Sequence, residues 1–280
     1  MKDQDDPQAV PLARIADALE HLVAAQDDSG RCEWTGAPAF IWDGQSPRAV
    51  SSIEAPDLDL LRGINKQKAA VTQNVRRHGM GHAAHDMLLW GARGMGKSAL
   101  IRAAVRHVQD SGHDLALVQV PADSLAALPD VFAQLGSVRR QFIVYCDDLG
   151  FSGDDPVGAR QLRSCLDGGV QARPANVRLA VTSNRRAIVP RHVTEQDDPI
   201  NPRDAVDDQL ALADRFGLSL GFHACSQDDY LEIVLAYSRR FDLPCDVADA
   251  LEWAKRRGAR SGRVAWHYVT EVAGRTGRAI

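Results

Sequence analysis

The chain has 280 residues, 45% hydrophobic and 25% charged, with a formal net charge of -4. This suits one sizeable domain, or one domain with a small companion, around a packed core; it argues against a surface coated in positive charge for nucleic acid and leaves room only for a local basic patch. Met1 to Asp6 is polar, no apolar run approaches the ~18 residues of a membrane span, and Cys32, Cys146, Cys165, Cys225 and Cys245 form no CxxC pair, so the expectation is a cytoplasmic protein with reduced thiols, away from membranes.

Leu12, Ile15, Leu19, Leu22 and Val23 recur at helical spacing, which predicts one amphipathic helix before the turn signal Asp27-Asp28-Ser29-Gly30. Phe40-Ile41-Trp42 suits a short strand. Residues 1–50 read as a peripheral arm. From about residue 51 strands alternate with helices. Met87 to Trp90, Leu115 to Val120, Phe142 to Cys146, Val177 to Thr182 and Leu218 to Phe222 read as strands. Ser98 to Val108 and Ser124 to Leu135 read as helices. Such alternation implies a parallel sheet covered on both faces. From about Ser226 only helices follow: Gln227 to Arg240, Val247 to Arg257 and Val264 to Gly274. The expected division is an arm (1–50), an αβα domain (51–225) and a helical domain (226–280).

Gly91-Ala92-Arg93-Gly94-Met95-Gly96-Lys97-Ser98 satisfies G-x-x-x-x-G-K-[ST], with an apolar strand before it and a helix after it. Glycines let the backbone curl so that successive N–H groups face phosphate oxygens, and the start of the helix adds a positive dipole end. In that pattern Lys97 reaches the β- and γ-phosphates and Ser98 coordinates magnesium. The strand Phe142 to Cys146 runs into Asp147-Asp148, which places acid where open sheets bind ligands. Asp147 is the candidate magnesium carboxylate, and Asp148 the group that orients or deprotonates the attacking water.

In order, the chain offers the phosphate loop, Asp147-Asp148, a strand ending Thr182-Ser183-Asn184, then Ala213-Asp214-Arg215-Phe216-Gly217, and a helical tail with Arg260-Ser261-Gly262-Arg263. This resembles the AAA+ ATPases. More narrowly, it resembles a bacterial AAA+ ATP-binding family classed as a domain of unknown function. The likeness is carried by Leu61 to Lys68, Leu89 to Gly94, Cys146 to Leu149, Asp154-Asp155, Thr182 to Arg186 and Ser219 to Phe222, and covers about residues 57–275. It implies a P-loop NTPase αβα sandwich with a five-stranded parallel sheet and a C-terminal helical lid, binding ATP and Mg2+. It also implies roles. Asn184 matches the polar sensor near the γ-phosphate, and Arg215 the finger that reaches a neighbouring subunit's ATP. Arg263, or else Arg260, matches the second sensor, and Gly63-Ile64 the stretch beside adenine. The chain departs from most AAA+ proteins at Asp148, where glutamate is usual, and from the narrower family at Met95, where threonine is usual.

The implied activity is ATP hydrolysis in a homo-oligomer, with the finger supplied in trans, remodelling or loading a protein client that the sequence does not identify. The alternative is a slow ATP-dependent switch resembling helicase loaders, docking a partner or single-stranded DNA. A phosphoryl transferase on the same loop would not need the sensor and finger pattern. His78, His82 and His85 share helical spacing, but Gly79 and Gly81 interrupt them and no carboxylate or cysteine completes a metal set. Arg185, Arg186 and Arg191 form a local basic cluster, and Asp197 to Arg203 a long polar connection.

Overall fold

The computed structural model describes residues 34–150, 162–166, 173–184 and 213–280. The expected helix around Leu12 to Val23, Asp154-Asp155, the cluster of Arg185, Arg186 and Arg191, and the connection from Asp197 to Arg203 lie outside the described residues. Seven strands form one sheet: β1 (Ala39–Trp42), β2 (Pro47–Val50), β3 (Met87–Gly91), β4 (Leu115–Gln119), β5 (Gln141–Cys146), β6 (Val177–Ser183) and β7 (Leu218–Phe222). Their order across the sheet is β2-β1-β4-β5-β6-β3-β7. All neighbouring pairs are parallel except β1 with β2.

The sheet therefore has two strands beyond the expected five, and one of them runs antiparallel. The extra pair extends the edge past β4, so residues 39–50 belong to the sheet and not to a peripheral arm. Edge placement explains the weak signal of β2. β2 is Pro-Arg-Ala-Val with two exposed positions in the middle, and proline is tolerated there because an edge strand need not donate on both sides.

The helices follow from apolar periodicity. They are α1 (Asn65–Gly79), α2 (Lys97–Asp110), α3 (Leu128–Gly136), α4 (Gln227–Arg240), α5 (Val247–Arg256) and α6 (Gly262–Arg275). A 3-10 turn at Ala122–Ala127 leads into α3. Alternate residues of the central strands face opposite sides. Met87, Leu89, Ile143 and Tyr145 join one buried cluster with α1, α2 and the C-terminal helices. Leu88, Phe142, Val144 and Cys146 join a second cluster with α3. Burial on both faces makes β5 a nearly continuous apolar run, as a central parallel strand requires. The tail is capped by side chains. Ser226 and Asp229 form a capping box at α4, Asp246 caps α5, and Ser261 caps α6, each cap contributing about 1 kcal/mol.

The sequence did not mark α1 as a helix of its own. Its buried stripe is Val71, Asn74, Val75 and His78, at helical spacing but half polar. Each polar member has a partner. Asn74 donates Nδ2–H to the His85 carbonyl at 2.9 Å and accepts the His85 N–H at 3.0 Å. His78 is 1% exposed and its Nε2 lies 3.0 Å from the Phe142 carbonyl. A carbonyl only accepts, so Nε2 carries the proton.

Burial is the main influence on His78 and pushes its pKa from 6.5 down to about 4. The folded state thus holds a neutral imidazole that the unfolded chain protonates below pH 6.5. Stability is unaffected above that value and falls with pH through the window down to about 4, by about 3 kcal/mol in total. The expected consequence is that urea unfolding gives a stability gap between wild type and His78→Gln that narrows by about 2 kcal/mol or more between pH 7 and pH 4.5. A constant gap would show that His78 titrates alike in both states.

Candidate active site

The candidate side chains Lys97, Ser98, Asp147, Asp148 and Asn184 gather at the carboxyl ends of β3, β5 and β6. β3 ends at Gly91, and the loop to α2 turns through Gly94 and Gly96, with φ of 74° and 85°. Gly96 is the N-cap of α2 in left-handed geometry, a conformation that side chains with a Cβ resist. At Gly94 space is also limiting, because a Cβ would lie 2.8 Å from the Ser261 hydroxyl. The loop is thus pressed onto the start of α6, whose Arg263 N–H donates to the Gly94 carbonyl at 3.2 Å.

Lys97 opens α2 and is 7% exposed. Its Nζ donates to the carbonyls of Gly91 at 2.8 Å and Ala92 at 2.9 Å, and to Asn184 Oδ1 at 3.1 Å. Burial lowers the Lys97 pKa, and the nearby Asp148 and Asp147 carboxylates push it back up. An ammonium held in this way attracts anions strongly, because little water competes for it.

Ser98 Oγ donates to Asp147 Oδ1 at 2.6 Å. Thr182 Oγ1 donates to the same oxygen at 2.6 Å and accepts the Asp148 N–H at 2.8 Å. Burial alone would raise the Asp147 pKa. Hydrogen bonds from Ser98 and Thr182, with the charge of Arg102, outweigh it and hold the carboxyl below the ordinary value. Asp148 has a φ of 51°, a left-handed conformation that aspartate tolerates better than most residues. Its Oδ1 accepts the Asn184 amide.

These residues line one cleft of about 840 Å3. Gly94 to Ser98, Arg93, Arg102, Asp147, Asp148, Thr182 and Asn184 form its polar end. Leu61, Ile64, Ile233, Tyr237, Phe241 and Trp266 form its apolar end, and Arg263 also lines it. Of the two candidates for the second sensor, only Arg263 is at the cleft; Arg260 instead reaches Gln227 Oε1 at 3.5 Å. Arg215 is elsewhere. It lines a separate cleft with His85, Asp86, Arg173 and Arg178, at the amino ends of the strands.

The sequence assigns no role to Thr182 or Arg102, both of which the fold brings to the cleft. Thr182 carried a weak signal, as a hydroxyl closing an otherwise apolar strand beside an acidic strand end. Arg102 stands one helical turn after Ser98 and so shares its face of α2.

A sheet of this order with its loop and acidic strand end has the fold of the AAA+ ATPases. A point mutant of Thermotoga maritima RuvB superposes with a TM-score of 0.51 at 18% identity, over 76% of this chain and 63% of that one. Aeropyrum pernix Orc1, solved in complex with DNA, gives 0.53 at 16% identity, over 79% and 65%. Domain III of the Thermotoga maritima replication initiation protein DnaA gives 0.50 at 11% identity, over 81% and 89%. The chain spans less than two thirds of the RuvB and Orc1 chains. No curated protein matches it in sequence. The family described as "Protein of unknown function (DUF815)" matches residues 35–276, and the chain belongs to that family. Among the described residues no helix is long and apolar enough to cross a membrane.

Thr182→Val removes the donor to Asp147 and the acceptor for the Asp148 N–H while keeping the shape of the side chain. It is expected to cost about 1–3 kcal/mol of stability in urea unfolding, and Thr182→Ser to restore most of that. Equal stability of the valine variant would show that the hydroxyl holds neither aspartate.

Proposed function

We propose that this chain binds ATP with magnesium and hydrolyses it to ADP and phosphate, in a homo-oligomer that remodels or loads a protein client. The observation that carries this is the linked set at the strand carboxyl ends: Lys97 bonded to Asn184, Asn184 to Asp148, and Ser98 to Asp147. These residue types fit a nucleotide and a divalent cation. The loop offers N–H groups without side-chain obstruction at Gly94 and Gly96, and Lys97 supplies a buried positive charge. Ser98 and Asp147 are adjacent oxygen donors of the kind magnesium takes. Magnesium, when bound, neutralises charge that builds on the phosphate oxygens.

Asp148 then orients the attacking water or takes its proton, and Asn184 fixes the carboxylate that does so. The apolar end of the cleft, with Ile64, suits a nucleobase, and Arg263 approaches from the lid formed by residues 226–280. Arg215 lies at the other end of β3 from the phosphate loop, which suits a finger acting on a neighbouring copy, since such a finger must come from another subunit.

A slow ATP-dependent switch is the second reading. Asp148 favours it, being one methylene shorter than glutamate, and the matched Orc1 structure holds DNA, which admits single-stranded DNA as the partner.

Lys97→Ala is expected to abolish ATP binding in calorimetry. Arg215→Ala is expected to leave ATP affinity unchanged and to lower kcat by about 10³-fold or more, and wild-type specific turnover to rise with protein concentration. Equal turnover of wild type and Arg215→Ala would refute the oligomeric mechanism. Turnover independent of concentration but stimulated by single-stranded DNA would favour the switch.

A further inference from the structure

Charge is unevenly spread along this chain. The net charge is -4, yet residues 255–263, Lys-Arg-Arg-Gly-Ala-Arg-Ser-Gly-Arg, carry five cations and no carboxylate, and the nearest acids on either side are Glu252 and Glu271. The run ends α5, turns, and starts α6. At the turn Gly258 takes a φ of 66°, and its N–H donates to the Lys255 carbonyl at 3.1 Å. A Cβ on Gly258 would meet nothing within 4 Å, so the turn stands out into solvent. Residues 255–260 are all exposed. The far end of the run is fixed instead. Ser261 is buried and lies against Gly94, and the Arg263 N–H holds the Gly94 carbonyl. The exposed cations are therefore presented from a firm base.

Helix electrostatics account for part of the run. Lys255 and Arg256 lie in the last turn of α5, where a cation gains about 0.3–1 kcal/mol from the helix dipole. Arg257 and Arg260 lie beyond it. Among the described residues one ion pair touches the run, Arg256 Nη2 with Glu252 Oε1 at 2.8 Å. Arg260 reaches the neutral side chain of Gln227 at 3.5 Å. The Arg257 guanidinium lies over the Trp253 ring, 4.8 Å from its centroid. Like charges this close repel one another, and a bound polyanion relieves that repulsion. A shallow cleft adjoins the run, lined by Trp253, Arg257, His267, Thr270, Glu271 and Arg275.

The side chains select among polyanions. Four of the five cations are arginines, whose planar fork pairs with phosphate through two N–H groups. The exposed large hydrophobic residues among those described are Met80, Val247 and Ile280. None is in the run, so a lipid surface finds no apolar anchor there. A guanidinium over an indole beside a shallow cleft suits an unpaired base, because bases stack on arginine planes as well as on aromatic rings.

We propose that residues 255–260, with the Trp253–Arg257 pair, form a docking surface for single-stranded nucleic acid. Arg257 and Arg260 meet backbone phosphates, and a base enters the cleft beside Trp253. This rests on the switch reading for its partner, and on neither ATP hydrolysis nor a neighbouring copy.

The test follows the fluorescence anisotropy of a labelled oligothymidine of about 16 nucleotides with the full chain. It is run without ATP, so its failure leaves the nucleotide reading untouched. Affinity is expected to fall with salt at a log–log slope of about -2, at about 0.7 per phosphate neutralised. The single strand is expected to bind at least as tightly as a duplex of equal length, although the duplex carries more charge per unit length. Lys255→Gln with Arg257→Gln is expected to weaken binding by at least about tenfold and to flatten the slope by about 1. Lys255→Glu alone leaves Arg257 over Trp253 and is expected to weaken binding by at least about threefold. Arg76→Gln with Arg77→Gln removes the same charge from the exposed end of α1 and is expected to bind as wild type does. Equal losses in the two double variants, or no loss in either Lys255 variant, would overturn the surface. Tighter binding of the duplex would overturn the single-strand assignment. Tighter binding of a polyglutamate peptide or of phosphatidylserine vesicles would overturn nucleic acid as the partner.

Discussion

Oδ1 of Asp147 accepts two hydroxyl hydrogen bonds at 2.6 Å, one from Ser98 and one from Thr182. Ser98 opens α2 after β3, Asp147 follows β5, and Thr182 is near the end of β6. One oxygen thus fixes the relative heights of three strand ends. Hydrogen bonds to an ionised acceptor are roughly twice as strong as neutral ones, and burial makes their loss more costly still. The loop from Gly91 to Ser98 has its place because this acceptor holds the first turn of α2, while Gly94 rests against Ser261 at the start of α6.

Strand polarity divides the molecule. All strands but β2 point the same way, so one edge of the sheet collects carboxyl ends and the other amino ends. The first edge carries Lys97, Asp147, Asp148 and Asn184; the second carries Asp86, Arg173 and Arg215. β3 belongs to both. Its amino end is bound by Asp86 to β6 and β7, and its carboxyl end becomes the phosphate loop. A parallel strand is a short connection between the two, and its neighbours on both sides are hydrogen-bonded to it in register.

The sequence made β3, β4, β5 and β6 legible because burial on both faces forces nearly unbroken apolar runs such as Phe-Ile-Val-Tyr-Cys at 142–146. The turn of the loop from Gly91 to Ser98 was legible because its glycines at 91, 94 and 96 all take positive φ. β2 was not, since an edge strand with Arg48 and Ala49 exposed shows neither alternation nor a run. α1 was not, since two of its four buried positions are Asn74 and His78, whose partners, His85 and the Phe142 carbonyl, meet them only in the folded chain. Thr182 and Asp86 share that reason. A polar residue next to an apolar run reads as a strand boundary, and only the neighbouring strands show that its side chain turns inward to bind backbone and carboxylate.

Asn184 shows how chemistry fixes orientation where geometry alone would not. Its two amide atoms are nearly the same size, but its neighbours differ in kind. The Lys97 ammonium only donates and the Asp148 carboxylate only accepts, so Oδ1 must face Lys97 and Nδ2 must face Asp148, as found. An aspartate at 184 would set carboxylate against carboxylate, and a leucine would leave both charges without this partner. The amide therefore couples the residue proposed to hold phosphate to the residue proposed to hold water. A displacement of the Lys97 ammonium pulls on Asn184 and then on Asp148. The left-handed backbone at Asp148 serves the same link: glutamate would carry its carboxylate one methylene further out, whereas the shorter side chain stays within reach of Asn184 while its N–H remains on Thr182.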